Sequence, residues 1–331
     1  MLRCLPLLLV AIWTSAAEST LHEDAVALAD GGTTPRLTLS NGVVSIAVLP
    51  DLGAKISSLT DRTGREYLSR SDKPYRARHP GAPFGDSEFD GIDECFPTVG
   101  GCEYPAAPWT GLKVPDHGEL WSQAWTRSAG LGLTLEAHGI VFPFHMRRSI
   151  TLEGPAVTLA YTVSNTGDAP LQYLYAFHAL LAGDTGCGMQ WPDSQPILRS
   201  YSRDGALGAS GTTVLWGAFQ VAGQPFSQHQ FVRDSGRYYK YFASPMTTGH
   251  AVARLADGAT LTMDWPVSEL PHLALWCSEG NVGHHLGAEP TTAPVDTLAQ
   301  AAAAGQARTI PAHGTVSWSI TLTPRLPAAA P

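Results

Sequence analysis

Three side chains far apart along the chain could together move protons: Glu289, His178 and His117. Glu289 lies in GAEPTTAPVDTLAQA, among small uncharged residues and directly before Pro290, so a cation that pairs with it must come from another segment. Either the carboxylate faces open water, or it points into a site built by distant parts of the chain. His178 ends the apolar run YLYAFH, and His117 sits in PDHGELW, where Gly118 allows the backbone to approach a ligand closely. A free imidazole titrates at about 6.5 and a glutamate at about 4.3, so a carboxylate base and an imidazolium acid could both hold their working states near neutrality.

Other chemistries lack their signatures. There is no G-x-S-x-G elbow, no H-E-x-x-H helix, no Gly-rich loop ending in Lys-Ser/Thr and no dinucleotide fingerprint after a strand. The adjacent His284 and His285 would point to opposite faces of a strand, which argues against a shared metal ion. Neither a metal nor a cofactor is expected.

The elements that must position these groups are strands. In RLTLSNGVVSIAVL, Leu37 and Leu39 alternate with polar neighbours, Asn41-Gly42 marks a hairpin turn, and Val44, Ile46 and Val48 resume the period of two. Leu131, Leu133 and Leu135 alternate likewise, as do Val157, Leu159, Tyr161 and Val163, and Val316, Trp318, Ile320 and Leu322. Short strands with frequent turns predict an antiparallel all-β sandwich with few short helices. One helical turn is expected in TLAQAAAA, with Asp296 as N-cap and Gly305 just past the end. The Pro/Gly-rich stretch 73–115 reads as a long irregular loop of the kind that often carries function.

Hydrophobic residues make up 44 % and charged residues 15 % of the 331-residue chain, a folded composition. Met1-Leu2-Arg3, the apolar run Cys4 to Trp13 and Ser15-Ala16-Ala17 read as a signal peptide over residues 1–17, which implies export to a periplasm or the exterior and no membrane span after cleavage. Loss of Arg3 moves the formal charge from −8 to −9, which argues against nucleic acid as a partner. Residues 18–35 read as a less patterned N-terminal extension, 36–324 as one domain and 325–331 as an Ala/Pro tail. Cys95, Cys102, Cys187 and Cys277 remain after cleavage and read as structural; four cysteines in an exported chain allow three disulfide pairings, and Cys95 and Cys102 are close enough for a local loop.

Taken together, LSNGVVSIAVLPDLGAKISSLTDRTGREYL, the DHG at 116–118, the FH at 177–178 and GAEPTTAPVDTLAQA resemble the aldose 1-epimerase (galactose mutarotase-like) superfamily in order and spacing over residues 36–323. The resemblance implies a galactose mutarotase-like β-supersandwich of antiparallel sheets with a sugar-binding cleft, no cofactor, and a monosaccharide or glycan end as ligand. It implies Glu289 as catalytic base, His178 as general acid and His117 as a residue that positions the sugar. It also implies interconversion of α and β anomers, in which the anomeric hydroxyl loses a proton and the ring oxygen gains one. Trp109 and Trp121 flank His117 and are expected as stacking platforms for a sugar. Asp93 and Glu94 are expected either to contact sugar hydroxyls or to cap a loop, and Asp264, in Asp264-Trp265-Pro266, to lie near the cleft. Two departures stand out: the arginine that precedes the His-Gly pair in well-known galactose mutarotases has no aligned counterpart, Arg76 and Arg78 being the nearest, and Ala-Leu-Leu follows His178.

Overall fold

The computed structural model describes residues 18–191, 196–202, 207–215, 220–221, 224–225 and 231–327. Two large antiparallel sheets dominate it. The first has eleven strands in the order Thr20–Ala27, Thr33–Ser40, Val44–Leu49, Lys55–Asp61, Ile92–Cys95, Ala176–Ala182, His284–Thr291, His272–Glu279, Tyr238–Ala243, Pro196–Ser202 and Thr213–Leu215. The second has eight, with the long strands Phe144–Glu153, Ala156–Asn165 and Thr315–Arg325 at its heart. The period-two reading holds in detail: Phe144, Met146, Arg148 and Ile150 are buried, and so are Val157, Leu159, Tyr161 and Val163 on the neighbouring strand.

The Asn41-Gly42 turn forms as expected, with Asn41 Oδ1 accepting from the backbone N–H of Val43 and Val44. Leu131 departs from the pattern. It is 79 % exposed, because the strand begins only at Leu133. Residues 18–35 are not an unpatterned extension, since Thr20–Ala27 pairs along its length with Thr33–Ser40 and forms an edge of the large sheet. An edge strand with mostly exposed side chains is held by backbone hydrogen bonds, and so leaves little hydrophobic period to read. At the other end, the last long strand runs on to Arg325. The proposed signal peptide, residues 1–17, and residues 328–331 of the tail lie outside the described residues.

The helix spans Leu298–Ala303, and its N-cap is Thr297, not Asp296. Thr297 and Gln300 form a reciprocal capping box, and Asp296 is drawn away into an ion pair with Lys240. Gly305 takes the left-handed conformation just past the C-cap. The four cysteines 95, 102, 187 and 277 are all unpaired thiols.

Strand alternation separates two buried networks. Ile92, Glu94, Phe177 and Ala179 point one way, Asp93 and His178 the other, since neighbours on a strand face opposite sides. Glu94 therefore faces the second sheet, where it accepts hydrogen bonds from Arg148, Tyr161 and Tyr175. That network leaves Glu94 with no role at a sugar.

Candidate active site

On the opposite face of the large sheet the cross-strand register collects the chemistry. His178 lies opposite Asp93, Trp276 opposite both Gly287 and Lys240, and Glu289 stands two residues from Gly287 on the same face. His178 and His117, distant in sequence, line one cavity of about 290 Å³ with Phe84, Trp276, Tyr238, Lys240, Asp116 and Asp296, and Glu289 lies behind that lining, against Lys240 and His178. That volume sits at the lower end of small-ligand pockets.

Glu289 is 1 % exposed, and its partner cation is Lys240, 2.9 Å from Oε2. Lys240 also contacts Asp296 Oδ1 at 2.7 Å. The other carboxylate oxygen, Oε1, makes no hydrogen bond and lies 3.7 Å from His178 Nε2. Gly287 keeps that space clear, because a Cβ there would stand 3.3 Å from Oε1. Burial pushes the Glu289 carboxyl up, but the Lys240 charge and, behind it, His178 pull it below its ordinary 4.5 overall. Lys240, driven down by burial and up by Asp296 and Glu289, ends above its ordinary value and keeps its proton.

Burial pushes His178 down to about 4, against the pull of Glu289, and His117 and Lys240 add to the fall. The imidazolium expected near neutrality is therefore replaced by a neutral ring. Such a ring still offers one N–H, as a hydrogen-bond donor rather than a ready acid. His178 Nδ1 is buried and without a partner.

His117 holds its place through backbone geometry. Its φ is 61°, in the left-handed region, which for a non-glycine residue is uncommon and costly. Gly118 follows at φ 72°, and a Cβ there would come within 2.0 Å of the Phe96 carbonyl oxygen. Phe84, on the short 3-10 turn Phe84–Asp86, stacks flat on His117 and meets His178 edge-on.

Several expectations are corrected. Trp109 packs on Tyr104 and Phe142, away from the cavity. Trp121 is 2 % exposed and acts as a support, its Nε1 donating to the Asp116 carbonyl and its ring lying against Phe84 and Arg78. Asp264 belongs to the other sheet, where it pairs with His250 in half-exposed surroundings. Asp93 does sit beside His178, but its oxygens are taken by Lys55 and Arg78, whose charges outweigh burial and hold it at about 2. Arg78 is spent in turn on Asp93, Glu88 and the carbonyls of Leu52 and Trp121. It pins the loop that carries Phe84 and does not face the cavity. His284 and His285 diverge, to Asp234 and to the ring of Trp276.

Sequence reading missed Lys240, Phe84 and Tyr238, and took Asp296 only for a helix cap. Lys240 had a signal, a single charge inside the aromatic run YYKYFA, which a buried strand tolerates only when the charge is paired.

No family model and no curated protein matches the chain. Solved structures do. A galactose mutarotase-like protein from Lactobacillus casei is 16 % identical, with a TM-score of 0.65 over 88 % of this chain and 100 % of its own. A galactose mutarotase-like protein from Clostridium acetobutylicum is 13 % identical, with a TM-score of 0.64 over 92 % and 98 %. A galactose mutarotase related enzyme from Lactobacillus acidophilus is 12 % identical, with a TM-score of 0.65 over 88 % and 98 %. Identities this low speak for architecture alone, and in architecture the chain has the galactose mutarotase-like fold.

Proposed function

We propose that the protein is an exported aldose 1-epimerase acting on a monosaccharide or the reducing end of a glycan. The observation that carries this reading is the buried, unbonded oxygen of Glu289, 3.7 Å from a neutral His178 that lines a monosaccharide-sized cavity. In the reaction, Glu289 Oε1 removes the proton of the anomeric hydroxyl, the C1–O5 bond breaks, and the neutral His178 N–H supports the charge that gathers on the ring oxygen. Glu289 passes the proton it took to that oxygen, the aldehyde rotates, and the same steps in reverse close the other anomer. Positioned proton transfer of this kind contributes about 10²–10⁴-fold. Trp276 and Phe84 supply the aromatic surface that Trp109 and Trp121 do not.

A second reading, a glycan-binding protein without catalysis, has one observation in its favour: Phe84 already covers one face of His117. The test is α to β equilibration of freshly dissolved hexoses and pentoses, followed by polarimetry with the mature protein. Acceleration of at least one sugar supports the epimerase. Binding of a sugar without acceleration supports the second reading.

A further inference from the structure

We infer that Lys240 is a positioning residue for the catalytic carboxylate: by holding Oε2 it leaves Oε1 as the single oxygen of Glu289 presented to the substrate. This rests on the reading of Glu289 as the base. The geometry is specific. The Lys240 ammonium donates to Glu289 Oε2 and lies 2.7 Å from Asp296 Oδ1 as an ion pair. Asp296 directly precedes the capping residue of the helix, so the ammonium ties the base to a braced loop and still lines the cavity.

Lys240 also decides when the base is available. The groups around Glu289 are Lys240 from one neighbouring strand, His178 and Cys95 from strands on the other side, His117 from its loop and His285 on its own strand, with Asp296 reached through Lys240. Only Lys240 among these gives the carboxylate a direct charged hydrogen bond, and His178 is neutral. Without Lys240, the largest charge opposing burial is lost and the carboxyl moves up.

The experiment uses the mature protein labelled with ¹³C at glutamate carboxyl carbons. Glu289 is assigned by its loss in Glu289→Gln and titrated in the wild type, Lys240→Met and Lys240→Arg, alongside the acid limb of the rate profile. Wild-type Glu289 should titrate below its ordinary value of 4.5. In Lys240→Met the titration and the acid limb should both rise by more than about one pH unit, and Lys240→Arg should stay near the wild type. An unchanged titration in Lys240→Met overturns the inference. If that variant does not fold, a wild-type Glu289 titrating at or above 4.5 overturns it instead. A wild type that accelerates no sugar removes the epimerase reading, while the carbon titration still decides whether Lys240 controls Glu289.

Discussion

The ring of Phe84 lies parallel to the ring of His117, with centroids 3.4 Å apart and planes within 6°. An aromatic from a Gly/Pro-rich loop thus fixes a histidine whose backbone is already constrained at positive φ. Phe84→Ala should lower stability by about 3 kcal/mol in urea unfolding, because it empties a packed site, whereas Phe84→Leu should cost less than about 1.5 kcal/mol. If the stack orients His117, Phe84→Ala also slows anomer equilibration at least tenfold. A wild-type rate in that variant would show that His117 needs no such support.

Glu94 and Arg148 join the two sheets through a 2.8 Å ion pair with both side chains fully buried. Glu94→Gln should destabilise the protein by about 3–5 kcal/mol, since it strands the Arg148 guanidinium in the interior. The folded fraction should keep its rate within a few fold, because Glu94 faces away from the cavity. Urea midpoints combined with rates per folded molecule separate the two effects.

Stability should fall steadily as pH drops below about 6.5, the ordinary value for histidine. Burial holds His178 and His272 at about 4 and His285 at about 3 in the folded protein. Between those values and 6.5 the unfolded chain binds more protons than the folded one, so stability decreases as pH falls through that window. Asp93 extends the trend: its folded value of about 2 is depressed, so its contribution is complete above the unfolded value of about 3.9 and is lost as pH falls towards 2. Calorimetric Tm against pH checks the slope, and His285→Gln should flatten it by the uptake of one proton. A constant Tm from pH 6.5 to 4 would contradict the burial of neutral histidines.

The sheets were legible because their period of two is written in Leu, Val and Ile. Edge strand Thr20–Ala27 was not, since it is held by backbone bonds rather than by a buried face. At the site, the three proton-carrying groups could be named from family-like segments, and the fold brings them together. Trp109 and Asp264 could not be judged from residue type, because an aromatic or a carboxylate in a turn-rich segment serves equally well in a core cluster or a surface pair. Asp93 and Arg78 illustrate a different limit. Each has the chemistry to hold a sugar hydroxyl, and each is consumed by the other in fixing the Phe84 loop. The state of His178 depends on how deeply it is buried, a property of the assembled sheet and not of any short stretch of sequence.

The most direct test compares the equilibration rate of an accepted sugar with wild type and Glu289→Gln, while sugar affinity is followed by calorimetry. Glutamine keeps the shape of the side chain and loses the proton-accepting carboxylate. The account predicts a rate loss of about 10²-fold or more, with affinity held within a few fold. Equal rates for the two proteins would contradict the assignment of Glu289 as the base.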